Sequence, residues 1–466
     1  MIQFIQKYRI TVLLIGVFFL ISRLFLACCF QPSNTDVGLY AHYAFVNSDA
    51  LRNHTTIYDT TDATIEYPPL AIMWMSAPML FLNMDDDFGE VSQDTFFKWR
   101  SIYKYLCFAF DLFLFCILLF FFLGNSRSFK VDLKGLIVYV VTGLILFYFL
   151  YDRLDLYLGG ILFLAFLLLR SHKHWMFALS MLAIGINFKL VPILLIPLFI
   201  IGTLPANYIG FFYKRLLRKQ LVLAVLKRSF FLVGVILSLF LPFYFWGGRS
   251  TLDFLSYHSD RGVQLESIYS SILMMLHFIG LPVYVTYGFG SFNLESDLSP
   301  FFSMISSLFV VLSVLGILLF CISRLKHHSL LLEASEHLNK DTKTIAQCFP
   351  QTFLYLTIAT LLAGIAVSKV FSPQYLLWLV PLFGLLPYQN KSTKWAGVLF
   401  VFVCLLTALI YPFLYFTDFV HNQAVLANGK IFWEAPTILA ANILILRNFL
   451  LIATTLMLLN ASKSVK

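Results

Sequence analysis

Short clusters of acidic and basic side chains interrupt an otherwise apolar sequence of 466 residues. These clusters are Asp36-Val-Gly-Leu-Tyr40, Glu66-Tyr67-Pro68-Pro69-Leu70, Asp152-Arg153-Leu154-Asp155, Asn187-Phe188-Lys189-Leu190, Arg261-Gly262-Val263-Gln264-Leu265-Glu266 and Lys369-Val370-Phe371-Ser372-Pro373-Gln374-Tyr375. A carboxylate can take the proton from an attacking hydroxyl group, and Arg or Lys side chains can bind a departing phosphate. Together, these residue types suit a transfer reaction from a phosphate-bearing donor.

Long runs of apolar residues must hold the clusters in place. Hydrophobic residues make up 60% of the sequence and charged residues only 12%, whereas soluble domains are about half apolar and about a quarter charged. Apolar runs close to the ~20 residues that span a bilayer as a helix recur along the whole chain. The sequence therefore predicts an all-α polytopic membrane protein and excludes a large water-exposed domain.

Twelve runs are predicted to span the membrane, which places both termini in the cytoplasm and makes residues 1–466 a single integral membrane domain. The predicted spans are Ile10–Phe30, Lys98–Leu123, Gly135–Leu150, Asp155–Leu169, Trp175–Phe188, Leu190–Leu204, Ser229–Trp246, Ser303–Ile322, Pro350–Val367, Tyr375–Leu386, Ala396–Leu414 and Ala435–Leu459. No small-residue cleavage site follows the first run, so we interpret it as a retained helix rather than a signal peptide.

The distribution of charge orients these spans. Most of the 33 Lys and Arg residues fall in segments predicted to be cytoplasmic, chiefly a basic loop at 205–228 and a polar loop at 323–349. Of the 24 acidic residues, the ones predicted on that side are Asp132, Glu333, Glu336 and Asp341. This is the bias that the positive-inside rule describes. We therefore assign the net charge of +9 to membrane topology and predict no nucleic-acid partner.

Two segments leave the topology open. The apolar stretch from Ile65 to Met84 is short and contains prolines, so we place it as a juxtamembrane or re-entrant helix in a first outer loop at 31–97. The stretch Trp175–Leu204 is either one kinked helix or two short ones. A single helix would move the basic loop at 205–228 to the outer side, so the charge pattern favours two helices.

The acidic clusters also have purely structural interpretations. Asp36 is a residue type that caps a following helix well. Asp152 and Asp155 flank Arg153, and in the structural interpretation the two carboxylates simply neutralise its charge. These alternatives compete with a role in chemistry.

The basic clusters have structural alternatives as well. Lys189 and Lys369 can extend to lipid headgroups at the edge of the bilayer. Arg261 and Glu266 can form an ion pair within their loop. Since all the clusters are predicted on the outer side, we nevertheless expect them to line one polar cavity there.

Arg23 is predicted to lie inside the first span, where it needs a buried partner, and Asp111 in the second span is the candidate. The seven Cys contain no C-x-x-C pair, and the His residues lack metal-ligand spacing in any outer loop. We therefore predict neither a zinc site nor a disulfide framework.

In their order along the chain, the clusters resemble those of the GT-C membrane glycosyltransferases. The closest resemblance is to the polyprenyl-phosphate-mannose-dependent mannosyltransferases of glycosyltransferase family 87. It covers nearly the whole chain and includes the pair Arg447-Asn448 in the last predicted span. The fold that it implies is GT-C-like, with about twelve transmembrane helices and juxtamembrane helices in the first outer loop.

The resemblance implies an inverting transfer of a hexose, most commonly mannose, from a polyprenyl-phosphate carrier. The acceptor would be a hydroxyl of a glycan or glycolipid, reached on the outer face of a bacterial inner membrane. It implies no nucleotide cofactor and no metal, and the expected partners are the lipid-linked donor, the acceptor and membrane lipid.

Individual residues take roles from the same resemblance. Asp36 is the expected general base, because the acid of the first outer loop has that role in GT-C enzymes. Lys189, Arg261 and Lys369 are the candidates for binding the donor phosphate. The residues expected to bind the acceptor or support the site are Tyr40, Glu66, Tyr67, Asp152, Arg153, Asp155, Gln264, Glu266, Gln374 and Tyr375.

Two other functions stay open at this point. A secondary transporter often has twelve spans, but it carries charged residues near mid-membrane and shows repeat symmetry between its halves. Here the acids cluster at the outer ends of helices. The second alternative is a GT-C-like protein without activity that binds lipid-linked sugars.

Overall fold

The computed structural model describes residues 2–32, 36–60, 65–82, 92–124, 131–170, 174–206, 208, 218–333, 344–421, 425–427 and 430–463. Parts of the predicted first outer loop (31–97), basic loop (205–228) and polar loop (323–349) lie outside these residues.

Helices form most of the described chain. In chain order they are α1 (Ile2–Cys28), α2 (Val37–Arg52), α3 (Ile57–Thr60), α4 (Pro69–Met75), α5 (Gln93–Leu123), α6 (Leu133–Ile145), α7 (Phe147–Leu150), α8 (Asp155–Leu169), α9 (Trp175–Phe188), α10 (Ile196–Thr203), α11 (Arg218–Gly247), α12 (Asp253–Asp260), α13 (Ile268–His277), α14 (Ser299–Glu333), α15 (Ile345–Cys348), α16 (Pro350–Val367), α17 (Val380–Gly384), α18 (Lys391–Ala408) and α19 (Ile438–Lys463). Tighter or wider helical turns occur at Ala77–Phe81, Val191–Leu195, Gly248–Leu252, Pro373–Trp378 and Leu409–Phe419.

The helix starts follow from local sequence. The side chains of Ser92, Ser267 and Asn390 each accept a hydrogen bond from the backbone N–H three residues ahead, which caps α5, α13 and α18. Pro69 and Pro350 occupy the first turns of α4 and α16, where the missing N–H would have no helical partner.

Seven helical segments among the described residues are long and apolar enough to cross a membrane. They are Ile10–Cys28, Gln93–Leu123, Lys219–Asp260, Ser299–His327, Pro350–Val367, Lys391–Phe419 and Ile438–Lys463. Many large apolar side chains on them are exposed, among them Phe120, Phe245 and Met304. Such a surface suits lipid rather than water, so the protein is a helical membrane protein.

The other predicted spans coincide with shorter helices. Leu133–Ile145, Asp155–Leu169, Trp175–Phe188 and Val191–Thr203 are apolar but have fewer than 18 residues, and α17 has five. Several of them are enclosed by their neighbours, and most side chains of α8 are buried. The count of twelve spans stays a prediction.

The stretch that was ambiguous in the sequence forms two helices. Helix α9 ends at Phe188, and Lys189 has an extended backbone with φ −160° and ψ 130°. The guanidinium of Arg228 lies 4.9 Å from the ring of Trp175, at the start of α9, and donates to the carbonyl of Thr203, at the end of α10, over 3.1 Å. The chain therefore reverses at Lys189, as the two-helix interpretation requires.

The two ends of the bundle are identified by the residues that lie at each of them. At one end the N–H of Ile345 donates to the carbonyl of Leu204 over 2.8 Å, and Arg324 donates to the carbonyl of Lys463 over 3.1 Å. We call this the basic end. At the opposite ends of the same helices lie Asp155, Lys189 and the residues after α16, and we call this the cavity end.

A small antiparallel sheet that the sequence analysis did not predict lies at the cavity end. Its strands are β1 (Tyr284–Gly288), β2 (Ser291–Glu295), β3 (Val425–Ala427) and β4 (Lys430–Trp433), in the order β2-β1-β4-β3. Phe289 and Gly290 form a two-residue turn with positive φ angles of 52° and 65°, the geometry that suits the twist of a hairpin. Buried Val285 and Leu294 pack this sheet against α13 and α19.

The predicted pairing of Arg23 with Asp111 is confirmed. The Nε atom of Arg23 lies 3.0 Å from the carboxylate of Asp111, and both side chains are buried. Tyr151 donates to the same carboxylate over 2.8 Å, and Tyr139 hydrogen-bonds it as well. The network joins α1, α5 and α6 inside the apolar bundle, where an unpaired charge would be costly.

Replacing Asp111 with Leu should destabilise the protein strongly, because Arg23 would remain buried without its partner. We expect a loss of ~3–5 kcal/mol, the usual cost of breaking a buried pair from one side. Changing Arg23 and Asp111 together to Leu should cost less than Asp111→Leu alone. Thermal unfolding in detergent measures both losses, and a double variant that is less stable than Asp111→Leu would contradict the pairing.

Asp94 provides the matched control on the same helix. Its carboxylate pairs with Lys98 over 2.6 Å, but both side chains are exposed. Asp94→Ala should therefore change stability by less than ~1 kcal/mol.

Candidate functional site

A cavity of about 520 Å³ opens at the cavity end of the bundle. Most of the predicted site residues line it: Asp36, Glu66, Tyr67, Arg153, Lys189, Arg261, Gln264, Glu266, Gln374 and Tyr375. They come from the start of α2, the segment before α4, the turn before α8, the break after α9, the loop between α12 and α13, and the turns before α17. Tyr40, Asp152, Asp155 and Lys369 are not among its lining residues.

Asp36 precedes α2 but does not cap it. Its side chain accepts no capping hydrogen bond, and its carboxylate pairs instead with the guanidinium of Arg153. The Asp36 side chain is 31% exposed and faces the cavity. The capping interpretation is therefore wrong, and this carboxylate is placed where a bound hydroxyl could reach it.

Asp152 was expected in the cavity, but it lies beside α5 instead. Its carboxylate forms an ion pair with Lys104 over 2.9 Å and accepts a hydrogen bond from Arg100 over 3.2 Å. Lys104 also donates to the carbonyl of Phe30, at the end of α1, over 2.5 Å. Two buried cations on α5 need an anion, and Asp152 supplies it, so it holds α1, α5 and α8 together rather than contacting the cavity.

Asp155 also differs from the expectation, because it lies behind the cavity wall. It accepts from Lys189 over 2.7 Å and from the indole N–H of Trp378 over 2.5 Å. Lys189 in turn lies 5.1 Å from the ring of Tyr375, which lines the cavity. Lys189 is thus held at the cavity wall instead of extending to headgroups. Arg153 forms its ion pair with Asp36, whereas Asp152 and Asp155 pair with lysines.

Glu66 lies near two of the predicted phosphate-binding cations. Burial raises the pKa of its carboxyl group, and a hydrogen bond from Tyr257 and the charges of Arg261 and Lys189 oppose that rise. The hydroxyl of the neighbouring Tyr67 lies 3.2 Å from the hydroxyl of Tyr40.

Tyr40 was predicted to bind the acceptor, but it does not line the cavity, although its neighbour Tyr67 does. Its side chain is completely buried, so it packs behind Tyr67 and has no surface in the cavity. It supports the wall that Tyr67 forms.

Among the described residues, the hydrogen-bond partner of the Arg261 side chain is a neutral hydroxyl. One of its terminal nitrogens donates to the hydroxyl of Ser291 over 3.0 Å, and its guanidinium lies 5.8 Å from the ring of Tyr257. Its Nε atom is buried and has no partner among the described residues. The predicted ion pair between Arg261 and Glu266 is not formed.

Lys369 lines a second cavity that adjoins the first. This cavity of about 290 Å³ shares Lys189, His258 and Tyr375 with the main one and is otherwise mostly apolar. The ammonium of Lys369 donates to the carbonyl of Ser259 over 2.8 Å and to the hydroxyl of Ser303 over 3.1 Å. Burial lowers its pKa. Lys369 therefore lines the second cavity rather than the main one.

Gln264 ties the two neighbouring clusters together. Its backbone N–H donates to the carbonyl of Lys369 over 2.9 Å, and its side-chain amide donates to Ser372 over 3.2 Å. Its side-chain oxygen is buried at the cavity and has no partner in the described part of the chain. A ligand donor can satisfy that oxygen.

Glu266 pairs with the last long helix. Its carboxylate lies 3.3 Å from Arg447, and its carbonyl accepts from Arg447 over 2.8 Å and from Asn448 over 3.2 Å. Burial raises the pKa of Glu266 to about 7, although the charge of Arg447 acts in the opposite direction. This interaction fixes the loop that carries Arg261 and Gln264 onto α19.

The titration of Glu266 should make stability depend on pH. Between its ordinary pKa of 4.5 and about 7, the folded protein holds a proton that the unfolded chain has released. Stability should therefore fall as pH rises through this window, by up to about 3 kcal/mol for such a shift. Glu266→Gln should flatten that part of the thermal-unfolding profile, and an unchanged slope would contradict the assignment.

Several residues that line the cavity were missed in the sequence. They are Tyr257, His258, Tyr287, Ser291, Phe292, Ser372, Tyr411, Tyr415 and Phe416. Ser372 lies within the cluster that begins at Lys369, and the dense aromatic segment around Tyr411 was a usable signal. Tyr287 and Phe292 could not be assigned, because nothing in the sequence places their hairpin beside the cavity.

Taken together, fold and site define a helical membrane protein with a charged cavity at one end of its bundle. Among the described residues, no group of three or more His, Cys, Asp or Glu side chains could hold a metal ion. The chain matches no family model, no curated protein and no solved structure.

Proposed function

We propose that this protein is an inverting glycosyltransferase of the GT-C type. It transfers a hexose, mannose in the simplest case, from a polyprenyl-phosphate carrier to a hydroxyl of a glycan or glycolipid. The observation that carries the proposal is the joint presence of Asp36, Glu66, Lys189 and Arg261 around one cavity. Its volume of about 520 Å³ falls in the range of small-molecule sites, about 300–1,000 Å³.

Asp36 acts as the general base in this proposal. The acceptor oxygen attacks the anomeric carbon while the bond from that carbon to the phosphate oxygen breaks, and Asp36 takes the hydroxyl proton. Polyprenyl phosphate leaves with the bonding electron pair, and the anomeric configuration inverts. Arg153 orients the carboxylate of Asp36 through their ion pair.

The donor phosphate binds between Arg261 and Lys369. Their hydrogen-bond partners in the described residues are the neutral oxygens of Ser291, Ser259 and Ser303. A phosphate can replace these partners without separating an existing ion pair. The two cations stabilise the charge that develops on the leaving phosphate.

Lys189 has a different relation to the phosphate, because Asp155 already balances its charge. It lines both cavities. It therefore acts on the phosphate through longer-range electrostatic attraction rather than as an unpaired cation. The adjoining apolar cavity of about 290 Å³, lined by residues such as Ile193, Val310 and Ile365, takes the first part of the lipid chain.

The orientation in the membrane follows from the same proposal. The basic end faces the cytoplasm and the cavity end faces the outer side, in a bacterial inner membrane. The shorter helices α6, α8, α9, α10 and α17 complete a set of twelve spans. The lipid-linked donor then reaches the cavity from the bilayer, and no nucleotide is needed on that side.

Asp36→Asn should abolish sugar transfer, because the amide cannot accept the proton. Turnover should fall by ~10² or more. The assay uses protein reconstituted in liposomes with polyprenyl-phosphate mannose and a glycolipid extract, and it measures released polyprenyl phosphate. Asp49→Asn, on helix α2 that follows Asp36 but outside the cavity lining, should keep normal turnover.

The same assay separates the proposal from its alternatives. Near-normal turnover of Asp36→Asn would remove Asp36 as the base. A wild-type protein that leaves the donor intact while moving a solute across the membrane would contradict glycosyl transfer itself.

Arg261→Ala and Lys369→Ala should weaken donor binding by ~2–4 kcal/mol each, if a charge-assisted bond to the phosphate is lost. The readout is the apparent affinity for polyprenyl-phosphate mannose. Arg249→Ala, an exposed cation outside both cavities, is the matched control. Donor affinity equal to that of the control would assign both residues to a structural role.

A further inference from the structure

The main cavity has two chemically different walls. One wall is charged and carries Asp36, Glu66 and Arg261. The other wall is aromatic and comes from the hairpin β1–β2 and the helical segment Leu409–Phe419. We call the side chains Tyr287, Phe292, Tyr411, Tyr415 and Phe416 the aromatic wall; all five line the cavity.

The aromatic wall is a continuous cluster of rings. Phe292 lies at its centre, with its ring 5.0 Å from Tyr287, 5.7 Å from Tyr415 and 6.4 Å from Phe416. Tyr411 extends the cluster, since its ring lies 5.0 Å from that of Tyr415. The wall therefore presents several ring faces and edges to one space.

The wall is also rigidly supported from behind. The ring of Phe292 lies 5.4 Å from that of Trp433, and Trp433 belongs to strand β4, which pairs with β1. Buried residues of the sheet pack against α13 and α19, and Glu266 fixes the preceding loop to Arg447. The rings are thus held in position before any ligand binds, which reduces the entropy cost of binding.

Two members of the wall stay exposed although they are large and apolar. Tyr287 is 60% exposed and Phe416 is 51% exposed. Exposed apolar surface that continues into a polar cavity is typical of a ligand site. The wall also carries three Tyr hydroxyls, and the hydroxyl of Ser291 lies beside Arg261.

We infer that the aromatic wall binds a sugar ring of the acceptor glycan, with Tyr287 and Phe416 as its main contacts. This assignment rests on the proposed function, because it names the acceptor side of the same cavity. A sugar ring has one face of C–H groups and a rim of hydroxyls, and it matches aromatic faces interrupted by hydroxyl groups.

The second cavity strengthens the choice of a sugar over a lipid chain. That cavity includes seven aliphatic side chains in its lining and shares Lys189 and Tyr375 with the main cavity. An apolar chain therefore has its own place. The charged wall and the aromatic wall line the same cavity, so a sugar on the aromatic wall shares that space with Asp36 and Glu66.

Two matched pairs of variants test this assignment. Tyr287→Ala and Phe416→Ala remove the exposed rings of the wall. Tyr284→Ala, on the same strand β1, and Phe413→Ala, in the same helical segment, remove rings that are 51% and 59% exposed but lie outside the cavity. Each pair thus has similar exposure and local backbone, and differs in access to the cavity.

The first measurement uses calorimetry to determine the affinity of the purified protein in detergent for a mannotriose probe. We expect Tyr287→Ala and Phe416→Ala to weaken binding at least tenfold, and the two controls to stay within twofold of wild type. A wild-type protein that does not bind the probe, or four variants with equal affinity, would overturn the assignment. Loss of lipid binding in place of sugar binding would identify the wall as a lipid contact and overturn it as well.

The second measurement separates this inference from the proposed function. In the transfer assay, the acceptor KM of Tyr287→Ala should rise at least tenfold relative to that of Tyr284→Ala, while the donor KM of the two variants stays equal. Transfer with an unchanged acceptor KM would keep the glycosyltransferase and exclude the aromatic wall. Sugar binding by a wild-type protein that transfers nothing would keep the wall and contradict the proposed function.

Discussion

The pairing of buried charges is the constraint on which this structure depends. An ionised side chain inside an apolar bundle is costly unless an opposite charge and hydrogen bonds surround it. The protein meets this constraint with pairs that join distant segments: Arg23 with Asp111, Lys104 with Asp152, Lys189 with Asp155, and Arg447 with Glu266. Because each pair connects different helices, the same interactions that neutralise the charges also fix where the helices end relative to one another.

The candidate site combines such paired charges with polar groups that this pairing leaves without a charged partner. Arg261 has a neutral partner, its Nε atom has none, and the side-chain oxygen of Gln264 has none among the described residues. Their loop is held at two points. Arg447 on α19 donates to the carbonyl of Glu266, and the backbone N–H of Gln264 donates to the carbonyl of Lys369. Unsatisfied groups on a fixed loop are pre-organised for a ligand, since binding supplies hydrogen bonds without rearranging the bundle.

Much of this arrangement could be predicted from local sequence, and the remainder depends on contacts between distant segments. Hydropathy located the long helices, and the need for a buried partner identified Arg23 with Asp111. The partner of Glu266 could not be predicted, because the nearby Arg261 competes with Arg447, which lies 181 residues away. Asp152 and Asp155 look equivalent beside Arg153, yet the cations of α5 take one and Lys189 takes the other. The hairpin that carries Tyr287 was missed for a similar reason, since its apolar side chains resemble those of the helices around it.

The partners of the four cations near the cavity also determine which of them can attract an anionic substrate. Arg153 and Lys189 already face carboxylates, so an incoming phosphate would have to compete with Asp36 or Asp155. Among the described residues, Arg261 and Lys369 hydrogen-bond only neutral oxygens, although Glu66 lies within electrostatic range of Arg261 and Asp260 within range of Lys369. A phosphate that binds these two cations would therefore not have to displace a paired carboxylate. Arg261 lines the polar cavity and Lys369 lines the apolar cavity that adjoins it, so in the proposed reaction the donor phosphate would lie between its lipid chain and its sugar. The electrostatic and the steric arguments therefore select the same position for the donor, although they rest on different residues.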